Sequence, residues 1–366
     1  MRILVLSMLR IGDAMMHMHL IRQLKKKYPG SRIEMVLNDE FSYIEPLLSQ
    51  ELDGLHYFPR QKMQKIISSR ESHLLEPIWM LEEWIQSISQ TQIDLMINMT
   101  HTSISGYIMG LIPACEKQGL VSQNKQSQLL GNAWLQYLNT NFPSGQKSDF
   151  HYVDILANIF DIKISRESYQ SNDSGRIFIQ PLTSDLKKNW PLALWRILLD
   201  QLRSVLPSYQ IQVLAAPSEV QKLLPYFKSS DISVLSLKEA LESFKNCELL
   251  ISGDTSLVHL ATLTRTRSLV ISLGSSDPVK TGPYLIGSEI ISGKSDCRPC
   301  LHTQNCNQST HLCAESISLE QVINQVLLMI QIAKTIQLPS PGTEGVYEQE
   351  NRKPSRNTSA ESRDCL

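Results

Sequence analysis

Several short stretches hold side chains whose type and spacing suit chemistry. Leu9-Arg10-Ile11-Gly12-Asp13 sets a carboxylate beside a glycine, where the chain passes from an apolar run into a helical pattern. Glycine permits the sharp turn, and on local grounds Asp13 reads as a helix cap. Lys187-Lys188-Asn189-Trp190-Pro191 follows Thr183 and Ser184. Hydroxyl and ammonium groups ahead of a helix can hold a phosphate, although a solvated loop has the same composition. In Gly253-Asp254-Thr255-Ser256-Leu257-Val258-His259 a small-residue turn opens another helix. The free N–H groups of such a helix start favour an anion. His259, one turn on, reads by itself as a packed core histidine. Asp277-Pro278-Val279-Lys280-Thr281-Gly282-Pro283-Tyr284 reads as a rigid turn.

Cys297, Cys300, Cys306 and Cys313 are spaced C-x2-C-x5-C-x6-C. A C-x2-C pair places two thiolates on one ion, and two more complete a tetrahedral shell. Sulfur ligands suit zinc or iron without choosing between them. His302 and His311 are substitute ligands. The alternatives are four unliganded thiols in a loop, or disulfides, which a reducing compartment disfavours. Lying just before a terminal helix, such a metal would organise a loop rather than perform chemistry.

These stretches need strands and helices to position them. Ile3–Ser7 is a short apolar run suited to a buried parallel strand. Met15, Met18, Ile21, Leu24 and Tyr28 then recur at helical spacing until Pro29-Gly30, and Arg32–Leu37 is a second strand. Strand, glycine turn, helix and strand make one βαβ unit. Asp94–Ile97 reads as a strand and Tyr107–Ile112 as part of a helix, whereas residues 122–150 are polar and poorly patterned. A second series begins with strands at Arg176–Gln180, Ile211–Ala215, Leu249–Ser252 and Ser268–Leu273. Helices are expected at Leu192–Leu206, Ser218–Phe227, Leu237–Cys247 and Thr255–Leu263, and a capping box at Ser318–Gln321 opens a last one. Two alternating β/α arrays predict two doubly wound domains joined near residues 165–175. Ligands of such sheets lie at the carboxyl ends of the strands, here in the cleft between the domains.

Composition narrows the function class. The 366 residues are 42% hydrophobic and 19% charged, enough for sizeable cores. Lys plus Arg is 35 against 36 Asp plus Glu, a formal net charge of -1. That balance gives no global attraction to nucleic acid, and none is expected as a partner. No run of about 18 apolar residues suggests a membrane span. The apolar start is broken at Arg10 and Asp13, so it reads as a first strand of a cytoplasmic protein rather than a signal peptide.

Taken together, in this order, the stretches resemble glycosyltransferase family 9, the ADP-heptose lipopolysaccharide heptosyltransferases, over roughly residues 1–335. The opening strand-loop-helix with Gly12-Asp13 is similar to the family's. LKKNWPLALW resembles its Lys-x-Trp-Pro motif, GDTSLVHLA its Asp-Thr-Gly-x-x-His-Leu signature, and SSDPVKTGPY its Asp-Pro-x-x-Thr-Gly-Pro-Tyr turn. CRPCLHTQNCNQSTHLC resembles a four-Cys segment of many members. Ser256 departs from the family's Gly. A Cβ there takes room beside a phosphate, and at positive φ it would cost about 1 kcal/mol or more.

The resemblance implies a GT-B fold, two Rossmann-like doubly wound domains facing a central cleft. It implies an acceptor domain over 1–170 and a nucleotide-sugar domain over 171–338, which carries the four-Cys segment and terminal helix. Residues 339–366 read from composition as a disordered tail. The implied activity is inverting transfer of a heptose or related sugar from an ADP-sugar to a lipopolysaccharide-core or other glycan, lipid- or protein-linked. Asp13 would be the base. Lys188 would neutralise the leaving diphosphate, with Thr183 and Ser184 donating hydrogen bonds. Thr255 and Ser256 would add backbone N–H groups, Asp254 would bind sugar hydroxyls, His259 would support the phosphate site, and Glu219 would bind the ribose. No catalytic metal is expected, since Lys188 and the helix dipole carry the leaving-group charge. Arg60, Lys62 and Lys65, expected in a loop, are the candidate acceptor contacts for a phosphate-rich glycan; a solvated surface is the plainer reading. Peripheral contact with the inner face of the membrane fits such an acceptor. The other function classes are a non-catalytic sugar-nucleotide-binding protein of the same fold and a GT-B sugar-nucleotide epimerase.

Overall fold

A computed structural model of the chain describes residues 1–69, 75–142, 146–170 and 174–335. The segment 339–366, expected to be a disordered tail, lies outside the described residues.

The first sheet is built from β1 (Arg2–Leu6), β2 (Arg32–Asn38), β3 (Gly54–Phe58), β4 (Leu95–Asn98), β5 (Glu116–Gln123) and β6 (Gln126–Leu130). Its strand order is β3-β2-β1-β4-β5-β6, parallel except for the β5–β6 hairpin. The short β7 (Glu167–Ser168) comes next in the chain. The second sheet uses β8 (Arg176–Gln180), β9 (Gln210–Ala215), β10 (Ile232–Val234), β11 (Leu249–Gly253) and β12 (Arg267–Ser272). After β13 (Leu285–Ile286), which pairs with β7, β14 (Glu289–Ser292) completes it. Its order is β10-β9-β8-β11-β12-β14, parallel throughout. In each sheet the order reverses beside the first strand, between β1 and β4 and between β8 and β11. Such a reversal opens a crevice at the carboxyl ends.

Strand periodicity divides the core. Ile3 and Val5 face one side of the first sheet and Leu4 and Leu6 the other, all fully buried. In the second sheet Ile177 and Ile179 face the terminal helix Leu319–Thr335, while Phe178 and Leu250 face the first domain. One apolar cluster therefore runs from Ile3 through the helix Ile11–Lys27 to Leu260 and Tyr284. The helix Ile11–Lys27 explains why. The sequence shows one apolar face, but Met16, His17, His19 and Leu20 are buried as well. It packs on its own sheet and also on the helix Ser256–Leu263 of the other half.

Several expectations need correction. Ser218–Phe227 is not one helix: a 3-10 turn, Pro217–Glu219, leads into Val220–Leu223. The polar stretch 122–150 holds the end of β5, β6 and the helix Ala133–Asn141. Its hairpin turns through Asn124 and Lys125, both at positive φ, as a two-residue hairpin requires. Asn-Lys is a weak turn signal, and β6 is exposed along its whole length, so no alternation marks it. Arg60, Lys62 and Lys65 lie on a helix, Arg60–Ser68, rather than in a loop. That helix has no fully buried residue, although Met63 packs against the first domain's core. Among the described residues, no helix is long and apolar enough to cross a membrane.

Candidate functional site

The loops after β1, β8 and β11 converge where the two sheets face each other. Arg10 is the N-cap of the helix Ile11–Lys27, and Asp13 stands three residues on. One Asp13 oxygen, Oδ2, accepts from the Arg10 backbone N–H at 3.1 Å. Asp13 thus does cap the helix, as local reading suggested, and it does so at the mouth of the cleft. Burial raises its pKa above the usual carboxylate value, opposed by Arg10 and by Lys188 from the facing domain.

Gly12 sets the distance across the cleft. A Cβ built on it would lie 3.0 Å from His259 Cδ2. We expect Gly12→Val to press on that buried ring and lower stability by about 1–3 kcal/mol, read from urea unfolding. An unchanged midpoint would mean that the two helices separate freely.

On the facing domain, Lys188 Nζ donates to Asp254 Oδ2 at 2.6 Å, with only 11% and 13% of the side chains exposed. Thr183 is not a free hydroxyl donor: its Oγ1 donates to the Asp185 carbonyl at 2.8 Å, and its N–H to Asn189 Oδ1 at 2.8 Å. Thr183 shapes the loop, and exposed Ser184 faces the cleft. Thr255 caps the helix Ser256–Leu263, accepting from the Leu257 N–H at 3.2 Å. Ser256 is the first residue of that helix and is not among the residues with positive φ, so its Cβ carries no backbone strain. Buried His259 lies between Gly12 and the Lys188–Asp254 pair. Burial lowers its pKa, with Asp254 raising it and Lys188 lowering it. It is a core histidine and a cleft residue at once. Glu219 follows β9 and accepts from the Ala216 N–H at 2.8 Å, holding its own turn.

Arg60, Lys62 and Lys65 begin beyond β3, two strands out from β1. At about 4.8 Å per strand this is the edge of the site rather than its centre. Arg60 pairs with Glu40 at 3.2 Å, while Lys62 and Lys65 are exposed. The Asp277–Tyr284 turn ties the two halves together. Its Gly282 carbonyl accepts from His151 Nε2 at 3.0 Å, and the Tyr284 hydroxyl donates to Asp154 Oδ1.

The four cysteines share one neighbourhood. Burial raises the Cys300 thiol's pKa, and Cys297, Cys313 and Cys306 add to it. All four are free thiols. Among the described residues, no group of three His, Cys, Asp or Glu side chains is arranged to hold a metal ion.

Beneath Asp13 lies a layer that sequence reading did not single out. His17 is one helical turn from Asp13. Its Nδ1 meets Ser7 Oγ at 2.8 Å and its Nε2 the Tyr152 hydroxyl at 3.0 Å. Tyr152 donates onward to the Met99 carbonyl at 2.7 Å, so Nε2 carries the hydrogen and the Ser7 hydroxyl donates to Nδ1. Burial holds His17 neutral, its pKa lowered to about 3. Tyr152 in turn feels the Asp13 charge. The i, i+4 spacing of Asp13 and His17 was the available signal. His101, after β4, has φ 54 and a buried ring whose pKa burial lowers to about 4, opposed by a hydrogen bond with the Asn98 backbone. Strain of this kind concentrates at functional sites, and the loop after β4 borders the crevice beside Asp13.

A carboxylate on one wall and an ammonium and a helix start on the other suit proton abstraction opposite a departing anion. No curated protein matches the chain in sequence. Among solved structures, the Escherichia coli heptosyltransferase WaaC, solved with ADP-2-deoxy-2-fluoro heptose, is similar at 14% identity and TM-score 0.64, over 90% of this chain and 99% of that one. A Veillonella parvula glycosyl transferase of family 9 is similar at 15% identity and TM-score 0.67, over 90% and 97%. The Escherichia coli ADP-heptose lps heptosyltransferase II is similar at 15% identity and TM-score 0.61, over 91% and 100%. These likenesses establish the fold as GT-B, two Rossmann-like domains facing a cleft. The model of glycosyltransferase family 9 (heptosyltransferase) matches residues 82–311, well over half of the chain, which therefore belongs to that family.

Proposed function

We propose that the protein transfers a heptose or related sugar from an ADP-sugar to a hydroxyl of a lipopolysaccharide-core or other glycan, with inversion. The observation that carries this reading is the meeting of Asp13 with the Lys188–Asp254 pair across Gly12 and His259. The half before residue 171 takes the acceptor, and the half after it takes the nucleotide sugar. Asp13 accepts the proton of the acceptor hydroxyl as that oxygen attacks the anomeric carbon. The bond from that carbon to the diphosphate oxygen breaks on the opposite face. Lys188 and the N–H groups at the start of Ser256–Leu263 receive the charge that develops on the diphosphate. Asp254 orients Lys188 and accepts from sugar hydroxyls, and Glu219 binds the ribose. This arrangement supplies cationic stabilisation of the leaving group without a catalytic metal. A relative solved with ADP-2-deoxy-2-fluoro heptose and one named for ADP-heptose support the choice of nucleotide. Expected in a panel of nucleotides is stabilisation by ADP of about 2.7 kcal/mol at 100 times its dissociation constant. A uridine preference would overturn the assignment.

Lys62 and Lys65, with exposed Ile67, Leu75, Ile78 and Trp79 nearby in the chain, support an anionic acceptor and contact with the inner membrane face. The four-Cys loop is proposed to bind zinc or iron structurally. The soft donor set and the shared field at Cys300 support this. Binding would draw exposed Cys306 toward the others. Elemental analysis of the full chain, from cells grown with both metals, should find about one equivalent of zinc plus iron. Less than about a tenth would overturn the proposal.

A further inference from the structure

The turn Leu186–Lys188 carries two lysines with different partners. Lys188 faces Asp254, as described. Lys187, with 5% of its side chain exposed, points the other way, into the four-Cys loop. Its ammonium donates to the carbonyls of Leu301 at 2.8 Å, His302 at 3.0 Å and Gln304 at 2.6 Å, and pairs with Asp185 at 3.2 Å. The grip is reciprocal. His311 Nε2 donates to the Lys187 carbonyl at 3.0 Å, and the Cys300 N–H donates to the Gly274 carbonyl at 3.1 Å. Gly274 sits so close that a Cβ would lie 2.3 Å from the Lys187 carbonyl oxygen, and its φ is +58. An ammonium with three carbonyl acceptors fixes a loop that has no regular structure of its own.

The fixed loop is exposed from Leu301 to Thr310, and one side of it borders the cleft. With Arg10, Ser184 and Lys188 it encloses a cleft of about 440 Å³, to which it contributes His302, Gln304 and Asn305. Arg10 comes from the first domain, beside Asp13. The carboxylate in the lining, Asp185, is occupied by Lys187. His302 lines the cleft with Arg10 and Lys188, and it is exposed. The volume falls within the range of small-ligand sites, and the lining leaves it electropositive.

We infer that this loop is a wall of the donor site: His302 and Arg10 contact the diphosphate of the nucleotide sugar, and Lys187 positions His302 by holding its carbonyl and those of Leu301 and Gln304. The inference rests on the proposed ADP-sugar reading and adds residues to it. The diphosphate is favoured over a phosphate of the acceptor because Lys188, opposite Asp13, lines the same cleft.

The test is calorimetric titration of the full chain with ADP and with AMP. His302→Ala and Arg10→Ala should each weaken ADP about tenfold or more while changing AMP far less, since AMP lacks the β-phosphate. Lys187→Met should weaken ADP similarly, and adding His302→Ala to it should cost little more, because the second group is already misplaced. Exposed His302 keeps the test open if Lys187→Met fails to fold. If His302→Ala binds ADP as the parent does while Lys188→Ala does not, the loop is no part of the donor site and the function stands. Equal losses for ADP and AMP would refute contact with the β-phosphate, the group that leaves the sugar. If the losses of Lys187→Met and His302→Ala simply add, Lys187 does not act through His302. A parent that does not bind ADP refutes the function itself. A changed acceptor KM with unchanged ADP affinity would move His302 to the acceptor side.

Discussion

Asp13→Asn should lower kcat by roughly 10²–10⁴-fold, the usual contribution of a general base, while ADP affinity stays within a few-fold. The substitution keeps an oxygen for the Arg10 N–H, so the helix start survives. It also removes a charge that folding disfavours. Burial raises the folded pKa of Asp13 above its unfolded value. Its stabilising contribution is therefore present below the unfolded pKa and lost as pH rises through the folded one. At neutral pH the ionised carboxylate costs stability, and Asp13→Asn should raise the urea midpoint there. The gain should disappear in acid, where the parent is protonated. The acid limb of the parent's kcat/KM should lie above the ordinary aspartate range, because the same raised pKa governs the base. Loss of activity together with lower stability at neutral pH would mean that Asp13 is a structural cap and no more.

Lys188→Ala should have the second large effect. Two consequences are separable. Asp254, only 13% exposed, is left without its ammonium, and breaking a pair this buried costs about 3 kcal/mol. The diphosphate loses a charge-assisted contact of roughly 1.5–3 kcal/mol, or about 10- to 150-fold in affinity. The double variant Lys188→Met/Asp254→Leu separates them. It should regain much of the stability, since apolar replacement of a buried pair is often neutral, but none of the ADP affinity. If it binds ADP like the parent, the Lys188–Asp254 pair is structural.

Much of this was legible in the sequence because the site uses strong local signals. Gly12-Asp13, Thr255 and Lys188 stand at strand-to-helix turns, where an apolar run, a small residue and a polar group follow in fixed order. The strands β1, β8, β11 and β12 are continuous apolar runs buried on both faces, so they announced themselves. Legibility failed where residues gain meaning only from distant partners. The ring of His17 takes its hydrogen-bond partners from Ser7 and from Tyr152, 135 residues away. Lys187 and Lys188 are neighbours in sequence, yet one serves the four-Cys loop and the other Asp254. Thr183 looked like a phosphate donor and is spent on its own loop. Strand β6 is exposed along its whole length and shows no alternation, and the helix Arg60–Ser68 spaces only Met63, Ile66 and Ile67 on its apolar face, a signal confined to about one turn.

The central claim is that an ADP-sugar is held between Asp13 and Lys188 with its diphosphate on Lys188. Titration of the full chain with ADP and UDP, in parent and Lys188→Ala, tests it most directly. The account predicts that the parent binds ADP in preference to UDP and that Lys188→Ala loses at least about tenfold in ADP affinity. Absence of ADP binding by the parent, a preference for UDP, or equal ADP affinity in the two proteins would contradict it.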